Sequence, residues 1–214
     1  EHCDFGTTCT VVTVLNAPDQ HKPNRKVAVT AHAGDTDVCL LRFAKAQHPS
    51  QKPPLKYAKW LTVEHNMYND AERGREISRG LRLYEVEGEG KLRHKVKVGV
   101  TLPNGEVSSV AYEPTRGMGH CMGQFLGIIP GPSVSCVELE TDDIILIGTD
   151  GLWNAIGGRR QKGDRSPSKE DLCSPLLPNL LHIIHSCRHK EAHEMARDIM
   201  GASKVNGLQD NTSL

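Results

Sequence analysis

No stretch of the 214 residues approaches the ~20 consecutive apolar positions that a membrane-spanning helix requires. Neither sign of charge prevails: 26 Lys and Arg stand against 26 Asp and Glu, so overall charge exerts no pull toward nucleic acid or a membrane surface. No two cysteines are spaced Cys-x-x-Cys. The seven present (Cys3, Cys9, Cys39, Cys121, Cys136, Cys173 and Cys187) are odd in number, which indicates neither a disulfide framework nor a zinc ribbon. Several sit among strand-like apolar residues, where a reduced cysteine packs as a small hydrophobe, and a reducing compartment, cytoplasm or nucleus, is the expectation. The opening Glu1-His2-Cys3-Asp4 holds neither an initiator Met nor a signal-peptide pattern, and the chain reads as one entered in mid-stream. With no internal repeat and no dividing linker, residues 1–214 are expected to form a single domain, long enough to bury a core without staples.

What is present favours short strands. Hydrophobic residues make up 37% and glycines number 20, a mix suited to strands and turns. The run Thr8 to Leu15 is β-branched and predicts a strand, followed by a polar turn from Pro18 to Asn24. Lys26 to Ala31 predicts a second strand, and the Gly34-Asp35 turn leads to a third over Asp37 to Leu41. Strand, short turn, strand points to an antiparallel meander rather than βαβ units. Gln47 to Lys56 carries three prolines and is expected to be a loop. Asp70 to Ser78 is charged and suited to a helix. Leu81 to Tyr84 and Lys95 to Val100 are further strand candidates, and Pro103-Asn104-Gly105 is a hairpin turn. Val134 to Leu139 and Ile144 to Ile147 predict two more strands, joined by the acidic turn Glu140 to Asp143. Arg159 to Ser168 reads as an exposed basic loop. From Leu177 to Met200 apolar residues recur at helical spacing (Leu181, Ile184, Ala192, Met195, Ala196, Ile199), with Gly201 as the stop. Pattern alone therefore predicts an α+β sandwich with helices outside stacked sheets.

Three aspartates stand at turns suited to chemistry. Asp150 follows the apolar run Ile144 to Ile147, so its carboxylate is expected to project from a strand end. Asp210 follows the late helical region, and Asp35 lies in the Gly34-Asp35 turn. Carboxylates at the ends of neighbouring strands can converge on one hard divalent cation, whose preference is for oxygen. A second candidate is the run His182, His185, His189 and His193, whose 3-4-4 spacing would form one helical stripe suited to Zn²⁺.

Six segments, in one order, resemble the motifs of the metal-dependent protein phosphatases of the PPM, or type 2C, family. Gly6-Thr7-Thr8 is similar to the family's Gly-Ser/Thr-Thr strand, and Gly34-Asp35-Thr36 to its Gly-Asp-Ser turn. Leu61-Thr62-Val63-Glu64-His65 resembles Leu-Thr-x-Asp-His, with Glu72, Arg75 and Ile77 placed as in its Glu-x-x-Arg-x-Ile helix. Thr115-Arg116-Gly117-Met118-Gly119-His120 resembles Ser-Arg-Ala-x-Gly-Asp. Asp142 to Asn154 nearly repeats Asp-Asp-x-x-Leu-x-Ser-Asp-Gly-x-Trp-Asp, and Asp210-Asn211-Thr212-Ser213 resembles Asp-Asn-x-Thr.

The resemblance implies two stacked antiparallel β-sheets flanked by helices, with a site for two Mg²⁺ or Mn²⁺ ions at one edge. It assigns Asp150 and Asp210 as metal ligands, with Gly151 adjacent. Glu64 and Asn154 fall where relatives hold a weaker third ion. The bridging Asp of an Asp-Gly-His-Gly segment, the phosphate-binding Arg and the general-acid histidine are expected before Glu1, and the final strand beyond Leu214. The implied activity is hydrolysis of phosphoserine and phosphothreonine in a phosphoprotein substrate by metal-activated water, with no nucleic acid or membrane as partner. Glu64, Asn154 and His120 each stand where the family has Asp, which makes a catalytically inactive pseudophosphatase, a binding or scaffold domain, the alternative.

Overall fold

The computed structural model describes residues 5–45, 53–79, 82–85, 92–101, 107–125, 127–157 and 177–205. Along the chain run β1 (Gly6–Thr7), β2 (Cys9–Asn16), β3 (Lys26–Ala33), β4 (Asp37–Phe43) and β5 (Leu55–Trp60), then α1 (Asp70–Ser78). Next come β6 (Arg82–Glu85), β7 (Leu92–Thr101), β8 (Val107–Tyr112), β9 (Met118–Gly119) and α2 (Cys121–Phe125). The chain continues through β10 (Ser133–Leu139), β11 (Ile144–Gly148), α3 (Asp150–Gly157), α4 (Leu177–Cys187) and α5 (Ala192–Val205).

Two three-stranded antiparallel sheets, in the orders β10-β3-β2 and β11-β4-β5, form the sandwich. Alternation along β4 explains why they stack. Val38 and Leu40 face the first sheet, in a core with Val12, Val137, Leu139, Ile145 and Ile147. Their neighbours Cys39 and Leu41 face the other way, into a second core with Leu152, Trp153, Ile156, Leu180, Ile184 and Ile199 from α3, α4 and α5. One strand thus serves both cores, as a period of two allows. β6, β7 and β8 make a separate antiparallel sheet, and β1 pairs with β9.

Local chemistry sets the turns. The Asp19 carboxylate accepts the His21 and Lys22 N–H groups at 2.8 and 2.7 Å and closes the β2–β3 loop. Asn69 caps α1 by accepting the Ala71 N–H at 3.0 Å, and Asp70 and Glu72 supply negative charge to its first turn.

Four expectations change. The Pro-rich loop ends early, because β5 begins at Leu55; Lys56 and Lys59 face solvent while Ala58 and Trp60 pack inward, as an edge strand permits. Asp150 does not extend from a strand end: β11 stops at Gly148 and Asp150 opens α3. The late helix is two helices, since a turn over 188–191 resets the phase, leaving Ala192 exposed while Leu180, Ile184 and Cys187 are buried. Gly201 does not stop α5, which continues to Val205 because Ser203 docks fully buried and donates to the Ile199 carbonyl at 2.9 Å. The Pro103-Asn104-Gly105 turn and the Arg159 to Ser168 loop lie outside the described residues.

Candidate functional site

The β3–β4 turn, the segment after β5, the segment after β8 and the start of α3 supply the acidic residues of one edge of the sandwich. Gly34 makes the turn at φ +126°, a conformation that side-chain-bearing residues rarely adopt, and brings Asp35 to its apex. The segment Leu61–His65 is pinned to the same edge. The Thr62 hydroxyl donates to the buried Asp37 carboxylate at 2.9 Å and accepts the Val38 N–H at 3.0 Å. His65 donates its N–H to the Gly34 carbonyl at 2.8 Å, and its Nδ1 accepts the Gly34 N–H at 3.1 Å. The His65 ring stacks on His32, with centroids 4.7 Å apart, and both rings are 1% exposed. Burial holds His32 down to about 4, below the usual histidine range, and lowers His65 as well.

Asp150 is placed by the packing of α3. The Trp153 indole N–H donates to the Gly148 carbonyl at 2.8 Å, and its ring meets Trp60 edge-on at 4.9 Å. Asp150 itself is exposed, and its Oδ1 accepts the Gly151 N–H at 2.8 Å. Burial, then repulsion from Asp150, Glu64 and Glu113, pushes the Asp35 carboxyl up to about 6, against an opposing backbone hydrogen bond. Four carboxylates therefore share this edge: Asp35, Glu64, Glu113 and Asp150. Glu64 is oriented by Asn66, whose Nδ2 donates to its Oε2 at 2.6 Å.

This concentration of carboxylate oxygen suits a hard divalent cation in charge and donor type. Among the described residues, no three His, Cys, Asp or Glu side chains are arranged to hold an ion between them. Asp210 lies outside the described residues, and Asn154 lies in α3, one turn beyond Asp150. Glu113 joins the edge without a motif of its own; its position two residues before Thr115-Arg116 is the available signal in the sequence. The histidines do not form the expected stripe. His182 and His185 belong to α4, His189 to the intervening turn and His193 to α5, because the helix breaks between them.

The family model for protein phosphatase 2C matches residues 1–159. No curated protein matches the chain. Among solved structures, a serine-threonine phosphatase 2C from Toxoplasma gondii is similar at TM-score 0.58 and 16% identity, covering 85% of this chain and 50% of its own. A phosphatase from a pathogenic strain of Toxoplasma gondii gives TM-score 0.57 and 17% identity, covering 89% and 48%. A C. elegans sex determining protein gives TM-score 0.55 and 18% identity, covering 95% and 38%. The chain spans half or less of the length of each.

Proposed function

The chain belongs to the protein phosphatase 2C family, and we propose that it is the metal-binding part of a protein serine/threonine phosphatase that hydrolyses phosphoserine and phosphothreonine with water. The observation that carries this reading is the acidic edge around Asp35, where Asp150, Glu64 and Glu113 all act on one carboxyl. Carboxylates brought close repel one another, as Asp35 shows, and a divalent cation would offset that repulsion.

In this reading Asp150 and Asp210 would hold one ion of a two-ion Mg²⁺ or Mn²⁺ site, with Gly151 beside Asp150, and Glu64 and Asn154 would stand near a weaker third. Such ions, when bound, lower the pKa of a shared water and offset charge on the phosphoryl oxygens. The protein's own part is placement. Gly34 and His65 fix the Asp35 turn, Asn66 orients Glu64, and Trp153 anchors the helix that begins with Asp150. A phosphoprotein is the substrate. A reducing compartment, cytoplasm or nucleus, belongs to the same proposal, on the odd number of cysteines in the sequence.

The test pairs calorimetric Mn²⁺ titration with phosphate release from a phosphothreonine peptide, for the full-length parent that carries this sequence and for its Asp150→Ala variant. The substitution should abolish metal-dependent hydrolysis while far-ultraviolet circular dichroism stays the same. Undiminished hydrolysis would refute the role of Asp150. The neutral Asn154, standing where the family has an acid, favours a second reading: a pseudophosphatase that binds phosphoprotein without turnover. A parent that takes up no Mn²⁺ and releases no phosphate would establish it.

A further inference from the structure

Behind the acidic edge lies a buried charge cluster centred on Glu72 of α1, which is 3% exposed. Its carboxylate accepts the Thr115 hydroxyl at 2.6 Å, the Arg75 Nη2–H at 3.0 Å and the Arg116 Nε–H at 3.0 Å. The two arginines then reach outward. Arg75 donates to the Gly127 and Thr115 carbonyls at 2.9 and 3.1 Å, and Arg116 donates to the Gly131 carbonyl at 2.9 Å. One carboxylate thereby ties together a helix and two segments remote from it in sequence.

The same cluster reaches the site through Thr115. Its hydroxyl is bound to Glu72, while its backbone N–H donates to the His65 carbonyl at 2.7 Å. The neighbouring Pro114 forms a bridge with Asn66, the residue that orients Glu64. His65 in turn holds Gly34 through two hydrogen bonds. The path is continuous: Glu72, Thr115, His65, Gly34, then Asp35, with Glu113 and Glu64 on its flanks. The carboxylate of Glu72 is itself fully committed to its donors and faces Thr115 and Arg116 rather than the acidic edge.

We propose that Glu72 is a positioning residue for the metal-binding edge, acting through the Thr115 hydroxyl to keep Glu64, Glu113 and Asp35 around Asp150. This rests on the metal-dependent reading above. A metal-binding edge to which separate segments bring their carboxylates needs those segments held in fixed relation, because outer groups that orient ligands set the affinity. Glu72 can supply that fixity: it is buried and ionised, and two cations and a hydroxyl hold it in a geometry that leaves little freedom.

The experiment uses Thr115→Val, which removes only the hydroxyl link, with Thr115→Ser as the rescue that restores it. Ile184→Val, in the core between the second sheet and the helices, is the control for a comparable small loss of stability. Two quantities are read on the full-length protein that carries this sequence: Mn²⁺ affinity by calorimetry, and hydrogen exchange of the Gly34 and His65 amides without metal. Thr115→Val should weaken Mn²⁺ binding roughly tenfold or more and speed exchange at Gly34 and His65. Thr115→Ser should recover both, and Ile184→Val should change neither. Unaltered exchange at Gly34 and His65 in Thr115→Val overturns the proposal, as does equal weakening of Mn²⁺ binding by Ile184→Val. Should the parent bind no Mn²⁺, the metal-dependent reading fails, and the exchange data alone decide whether Glu72 positions this edge.

Discussion

His65 holds Gly34 from both sides, giving its backbone N–H to the glycine carbonyl at 2.8 Å and taking the glycine N–H on its ring Nδ1 at 3.1 Å. Both polar groups of a glycine turn are therefore satisfied by one residue 31 positions away. The acceptor role of Nδ1 assigns the ring's proton to Nε2, which lies 2.8 Å from the Ser133 hydroxyl and donates to it.

Gly34→Ala should be among the most damaging single substitutions. A Cβ at this position would lie 2.2 Å from the Thr8 Cβ, and φ of +126° strains any side-chain-bearing residue. The expected loss is about 3 kcal/mol, from overpacking and backbone strain together. A shift of the urea midpoint with unchanged slope measures it; a loss within about 0.5 kcal/mol, as is usual for surface changes, would show that the turn relaxes freely.

Stability should respond to acid through two opposing groups. The neutral state of His32 is favoured by the fold, whose value of about 4 lies below the ordinary 6.5. Its contribution is present above pH 6.5 and is lost as pH falls from there toward 4. Asp35 runs the other way: its folded value of about 6 lies above the ordinary 3.8, so its ionisation costs stability as pH rises from 3.8 to 6. Asp35→Asn should therefore stabilise the metal-free chain at about pH 7 and steepen its loss of stability between about pH 6 and 4. Denaturant titrations at several pH values read both effects, and parallel curves for parent and variant would contradict them.

Trp153→Phe should cost about 1–2 kcal/mol. The change leaves the Gly148 carbonyl without its indole donor and alters the edge-on contact with Trp60. The chain has two tryptophans, so Trp60 fluorescence then reports unfolding without interference. No change in the midpoint would mean that the indole hydrogen bond contributes nothing net.

Two charge pairs, one largely buried and one exposed, should behave unequally. Arg42 is 16% exposed and its partner Asp143 is 3% exposed, joined at 2.7 Å, so Arg42→Met removes the cation from a buried carboxylate and leaves it the Glu140 N–H, at a cost of about 2–4 kcal/mol. Lys22 and Glu138 are 56% and 40% exposed, and Lys22→Met should cost less than about 1 kcal/mol. Midpoints in low and high salt distinguish them, and a larger loss for the lysine would reverse the ranking.

Much of the sandwich was legible in the residues alone. The β-branched and apolar runs in Lys26 to Ala31, Asp37 to Leu41 and Ile144 to Ile147 predict strands that the structure contains, because such a run bounded by turn residues is a local property. The helix over Asp70 to Ser78 and the motif order leading to Asp150 are local in the same sense. The start of β5 was hidden because its exposed lysines and preceding prolines look like loop, and only pairing with β4 makes it a strand. The break between α4 and α5 was hidden because both halves carry the same period, and the phase change follows from packing on the sheet.

What residues near one another in the chain determined, then, was the strands of the two stacked sheets other than β5, the acidic turns and the family. Tertiary structure alone decided that Asp150 opens a helix, that Glu113 joins Asp35 and Glu64, and that Glu72 stands behind them. These relations link segments roughly 30 to 115 positions apart by hydrogen bonds and charge, and such pairings are set by how the sheets stack rather than by any pattern within a single segment.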